Sequence, residues 1–191
     1  MRRTPFNTYK WQRGDNCWII SILRNGSQGL RTWATMNQYD YVPWEQIGTY
    51  AETDCLTYIR DPESRVWSGI FAGFHSADVL TDEKLEQMKS SESFFNLNVH
   101  MHPQMDVINK TQELQPNCTI KYLEVSDLPF PPTHQSNYEE LDKIKKKVYS
   151  CYPKFDEMVR DYYADDFVMW NEYISDKLPK GTIQGKWPYD N

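Results

Sequence analysis

Two short apolar runs, each closed by an arginine-bearing polar turn, set the pattern of this chain. Cys17-Trp18-Ile19-Ile20-Ser21-Ile22-Leu23 runs into Arg24-Asn25-Gly26-Ser27-Gln28-Gly29-Leu30. Cys55-Leu56-Thr57-Tyr58-Ile59 runs into Arg60-Asp61-Pro62-Glu63-Ser64-Arg65-Val66-Trp67-Ser68. Continuous apolar runs of this length read as buried parallel strands, so strands are expected over 17–23 and 54–59. A helix is expected over 27–37 and a second over 61–76. The second has Asp61 as N-cap, Pro62 at the first helical position, and Val66, Ile70, Phe71 and Phe74 at helical spacing.

Residues 39–44 suit a short strand and 81–91 a helix, whereas 94–115 carries no clear period. Cys118-Thr119-Ile120-Lys121-Tyr122-Leu123-Glu124-Val125 alternates and predicts a strand. Pro129, Pro131 and Pro132 mark a loop. Residues 138–152 are amphipathic through Leu141, Ile144, Val148 and Cys151, with Lys143, Lys145, Lys146 and Lys147 on a solvated face. Residues 155–174 read as helix with a break near Tyr163. The first sixteen residues read as polar and irregular, and the last dozen as a tail. Strands alternating with helices predict an α/β fold with a mainly parallel central sheet flanked by helices. The resemblance of the first turn to a phosphate loop implies a P-loop-like three-layer domain. It is expected to be a single domain over 1–191, with its core at about 17–175.

A strand that ends where a helix begins offers free backbone N–H groups to an anion. Ligands of parallel sheets sit outside the carboxyl ends of the strands. Two such turns imply a ligand with phosphate-like groups at both ends. The first turn is not the G-x-x-x-x-G-K-[ST] motif, because Gly29 is followed by Leu30. Its cation, Arg24, precedes the glycines, and Ser27 and Gln28 supply donors. In the second turn, Arg60 at the strand end and Ser68 two helical turns on can converge on one phosphate. Alternatively, Arg60 pairs with Asp61 or Glu63 and Ser68 merely packs close to the sheet.

Composition narrows the partners. The net charge of -6 argues against general binding to nucleic acid or acidic membranes. No apolar run reaches the roughly 20 residues of a membrane span, and no apolar stretch follows Met1-Arg2-Arg3 to make a secretory signal. A cytoplasmic location with reduced cysteines at 17, 55, 118 and 151 is the resulting expectation. The triplets beginning at Asn25, Asn109 and Asn117 fit the glycosylation pattern and are read as chance. Aromatic residues make up 15% of the chain, including 13 Tyr and 7 Trp. They serve either an aromatic core or a cleft for a base or sugar ring.

The order of these motifs resembles the sulfotransferase family. There, a strand with a P-[KR]-[ST]-G-[GT]-[TS]-like loop precedes a strand with R-D-P-x-x-R-x-x-S. Residues Leu23 to Leu30 match the first loosely, and Arg60 to Ser68 match the second at each defining position. Asn98-Val99-His100-Met101-His102-Pro103-Gln104 is similar to the D-x-H-W-x-P-Q element of the Golgi-type carbohydrate branch. Tyr163-Ala164-Asp165-Asp166-Phe167-Val168-Met169-Trp170-Asn171-Glu172-Tyr173 is similar to that branch's Y-x-x-D-F-x-x-F-x-Y helix.

The resemblance implies the donor 3′-phosphoadenosine-5′-phosphosulfate (PAPS), no metal, and a hydroxyl acceptor on a saccharide or small molecule. It implies that Arg24, Asn25, Gly26, Ser27, Gln28, Gly29 and Leu30 cradle the 5′-phosphosulfate. Arg60 and Ser68 would hold the 3′-phosphate. Arg24 would also stabilise charge on the leaving bridging oxygen. The family's base is a His or Glu after the second strand. Glu45 is the best placed carboxylate here, with His100 and His102 as rivals. The chain departs from the pattern with Arg24 for the usual lysine and Gln28-Gly29 for the usual hydroxyl pair. A non-catalytic module that binds the nucleotide is therefore the alternative, and a P-loop nucleotide kinase a weaker one.

Overall fold

The computed structural model describes residues 10–13, 17–42, 53–88, 91–96, 99–128 and 137–182. Five strands form one mixed sheet in the order β3-β1-β2-β4-β5: β1 (Lys10–Arg13), β2 (Cys17–Ile20), β3 (Asp40–Val42), β4 (Thr53–Ile59) and β5 (Cys118–Glu124). β2, β4 and β5 are parallel, with Ile19 opposite Leu56 and Leu56 opposite Lys121. β1 is antiparallel to both β2 and β3. The fold is thus α/β, with three parallel strands and an antiparallel extension.

Side chains alternate across the parallel strands, and each face has its own helices. Ile19, Leu56, Tyr58 and Leu123 pack on Leu30, Trp33 and Ala34 of α1 (Ser27–Met36). Trp18, Ile20, Cys55, Ile120 and Tyr122 face Val107 and Ile108 of α5 (Gln104–Leu114) and Met169 and Tyr173 of α8 (Ala164–Ile174). A third cluster lies among helices alone. It joins α2 (Pro62–Phe74), α3 (Asp82–Gln87), α4 (Ser91–Asn96), α6 (Tyr138–Cys151) and α7 (Phe155–Tyr162) around Trp67, Phe94, Phe95 and Phe155. Much of the aromatic content sits there, with rings in edge-on and tilted contact.

Local chemistry explains the element ends. Asp61 accepts from the Ser64 amide at 2.7 Å and Pro62 opens α2, so this helix starts where its sequence dictates. Thr81 caps α3 in the same way. The expected break near Tyr163 separates α7 from α8. Gly69 lets α2 approach the 3₁₀ turn Val99–Met101: a Cβ there would stand 2.9 Å from the His100 carbonyl oxygen.

Four expectations are corrected. Lys10–Arg13 is a strand, not irregular chain, because it is zipped between β2 and β3. The tail begins as part of the sheet: the Tyr122 amide donates to the Pro179 carbonyl, and the Gly181 amide to that of Tyr122. Cys151 is exposed rather than on the apolar face of α6. Cys55 and Cys118 are joined in a disulfide rather than reduced. Such bonds are rare in a reducing cytoplasm, so the cysteines lend no support to that location. No helix among the described residues is long and apolar enough to cross a membrane.

The disulfide closes a loop spanning 63 positions between the two strands that lead into the site. Reducing it should lower the unfolding free energy by about 4 kcal/mol, the chain-entropy value for a loop of this size. Urea denaturation with and without reductant measures the effect; coincident curves would contradict it.

Candidate functional site

β2, β4 and β5 point their carboxyl ends at one cavity of about 960 Å³. Arg24, Gly26, Ser27 and Gln28 line it from the first turn, and Arg60, Asp61, Ser64 and Ser68 from the second. His100, Glu124 and Trp170 also reach it. Its volume falls within the range of small-molecule and cofactor sites.

The two turns do not lie at opposite ends of the cavity. Arg24 donates from Nε and Nη2 to the Ser68 hydroxyl at 3.0 and 2.7 Å. Arg60 Nη1 donates to the Arg24 carbonyl at 3.3 Å. Arg65, fully buried behind them, donates from Nη2 to the Leu23 carbonyl at 3.3 Å, and its Nε and Nη1 have no hydrogen-bond partner among the described residues. Among the described residues none of the three makes a salt bridge within 4.0 Å. Burial lowers the pKa of all three. Arg60 and Arg65 add to this at Arg24, and Arg65 adds to it at Arg60, where Asp61 opposes it. At Arg65 the main opposing charge is Asp166. Positive charge is therefore gathered and under-compensated at this end of the cavity, which favours an anionic guest.

Backbone geometry adds to the same end. Arg24 sits at φ 68° and Gly26 at φ 74°, both in the left-handed region. The positive φ favours glycine at 26, and a Cβ there would also press on the Leu128 side chain. A non-glycine residue held in this region stores strain, a recurrent feature of functional loops. α1 has no side-chain N-cap bond and no acid in its first turn, so its first N–H groups open toward the cavity. α2 differs. Asp61 occupies its N-terminus, so the second turn offers side chains rather than a free helix end.

The other expected residues fall in different places. Leu30 is in the core under β2, and Gly29 is buried in the first turn of α1. Asn25 is 1% exposed and points away from the cavity, donating to the Tyr58 carbonyl at 2.7 Å and to Gln104 Oε1 at 2.6 Å. His100 lines the cavity beside Arg24 and Ser68, whereas His102 does not. Glu45 lies outside the described residues.

Two residues not singled out from the sequence stand behind the site. Gln104, fully buried at the start of α5, accepts from the Arg60 amide at 2.9 Å and donates to the Arg60 carbonyl at 2.9 Å. Asp166 accepts from the Gln104 and Met105 amides, each at 2.8 Å. The signal was present in part: both belong to the two later motifs, and Tyr163 of the second also donates to the Met101 carbonyl of the first. Among the described residues, no group of three or more His, Cys, Asp or Glu is placed to hold a metal ion. Compared with protein-family models, curated proteins and solved structures, the chain matches none.

Burial, then Arg24 and Arg65, lower the pKa of His100 below the ordinary 6.5. Its imidazole is thus neutral at pH 7, the form that accepts a proton. The unfolded chain binds this proton more readily than the folded one. Stability from this group is therefore intact above pH 6.5 and falls as pH drops from there through the lower folded value. NMR titration should place His100 below 6.5; a value at or above it would contradict the electrostatic picture.

Proposed function

We propose that the chain is a PAPS-dependent sulfotransferase that moves a sulfuryl group to a hydroxyl acceptor, with a carbohydrate as the favoured class. The Arg24–Ser68 hydrogen bond carries this reading. It joins the two motifs that resemble the donor-binding elements of that family at one cavity, at the carboxyl ends of parallel strands, as in P-loop-like domains. The contact between the two later motifs supports it further, because Tyr163 and Asp166 hold the segment that carries His100 and Gln104.

Sulfuryl transfer is an in-line displacement dominated by positioning and charge stabilisation, as in phosphoryl transfer. The acceptor oxygen bonds to sulfur while the bond from sulfur to the donor's bridging oxygen breaks. The products are the sulfate ester and 3′-phosphoadenosine-5′-phosphate. In this reading, Arg60 and Ser68 hold the 3′-phosphate. Ser27, Gln28 and the open end of α1 hold the 5′ side. Arg24 stabilises the charge that builds on the leaving oxygen. His100 is the base that takes the acceptor proton, because it lines the cavity in its neutral form.

Binding of 3′-phosphoadenosine-5′-phosphate should raise the melting temperature, with about 2.7 kcal/mol of added stability at a hundredfold excess over Kd. ATP at equal concentration should do less, since it lacks the 3′-phosphate. No shift at millimolar nucleotide would contradict the reading. Arg60→Ala should weaken the 3′-phosphorylated nucleotide by about 1.5–3 kcal/mol, the range for a hydrogen bond to a charged group. It should leave 5′-AMP nearly unaffected. Calorimetric titration measures both, and equal losses would remove Arg60 from the 3′-phosphate.

A further inference from the structure

We infer that Gln104 is a positioning residue that sets the spacing between the two anion-binding turns, so that both ends of one nucleotide engage together. Its side-chain amide is in contact with both turns. Oε1 accepts from the Arg60 amide at 2.9 Å and from Asn25 Nδ2 at 2.6 Å. Nε2 donates to the Arg60 carbonyl at 2.9 Å. Gln104 therefore treats Arg60 as a neighbouring strand would, binding its N–H and its C=O, and holds Asn25 of the first turn with the same oxygen. Asn25 returns to the sheet by donating to the Tyr58 carbonyl at 2.7 Å.

The amide is itself immobilised. Gln104 is 0% exposed, and Asp166, also 0% exposed, grips the first two amides of α5 with its two oxygens. Neither Gln104 nor Asn25 lines the cavity, so neither is placed to touch a ligand. Their effect passes through Arg60, Arg24 and Gly26. A ligand anchored at two points gains most when the points are already at the right separation. Loosening the link should therefore penalise a ligand that uses both turns and spare one that uses either alone.

This inference rests on the donor reading above, and its test separates the two. Dissociation constants are measured for 3′-phosphoadenosine-5′-phosphate, 5′-AMP and adenosine 3′-phosphate with the unaltered protein, Gln104→Met and Gln104→Glu. Gln104→Met, which removes every side-chain bond of the link, should weaken the bisphosphate about tenfold or more and each monophosphate less than about threefold. Gln104→Glu keeps the acceptor for Arg60 and Asn25 and should lose less. If Gln104→Met does not fold, Asn25→Ala cuts only the first-turn half of the link and carries the same expectation. Equal weakening of all three nucleotides, or none, would overturn the role of Gln104 while leaving the donor reading standing. Failure of the unaltered protein to bind any of them would overturn both.

Discussion

Three guanidinium groups gathered at one end of a cavity, with no salt bridge to any of them among the described residues, are the constraint around which this structure is arranged. Like charges held close and partly buried raise the free energy of the empty site. The fold accepts that cost through hydrogen bonds to neutral groups: the Ser68 hydroxyl and the carbonyls of Leu23 and Arg24. Such an arrangement is most stable when an anion completes it. Two of the nearby acids are engaged elsewhere, while Glu63 and Glu124 line the cavity without a salt bridge to these arginines among the described residues. Asp61 caps α2, and Asp166 fixes the start of α5.

That organisation follows from the sheet. Parallel strands deliver their carboxyl ends to the same edge, so Arg24 and Arg60 meet although 36 residues separate them. Arg65 comes one turn later on α2, and its burial braces the turn that leads into Arg24. The same helix supplies Trp67, which also lines the cavity, and Ile70 to the helical cluster. One helix thus links the site to the part of the core that lies away from the sheet.

Much of this was legible in the sequence, for identifiable reasons. The apolar runs before Arg24 and Arg60 have no alternative as buried strands, and Asp61-Pro62 encodes its own helix start. Other features depend on tertiary partners. Lys10-Trp11-Gln12-Arg13 has no strand-like apolar pattern and becomes a strand through its neighbours. The Cys55–Cys118 pairing requires knowing that β4 and β5 are adjacent. Asn25 sits in a glycine-containing turn and reads as a ligand donor, yet its amide faces inward to Gln104. Nor does motif spacing reveal that α1 keeps an open N-terminus while α2 closes its own.

A crystal structure with 3′-phosphoadenosine-5′-phosphate bound tests the central claim, that the two turns form one divided anion site, most directly. The account predicts the 3′-phosphate against Arg60 and Ser68. It predicts the 5′-phosphate at the start of α1, between Arg24 and the amides of Ser27 and Gln28. Phosphates seated elsewhere in the cavity, such as on Lys145 beside Trp67, with the Arg24–Ser68 contact unchanged, would contradict it.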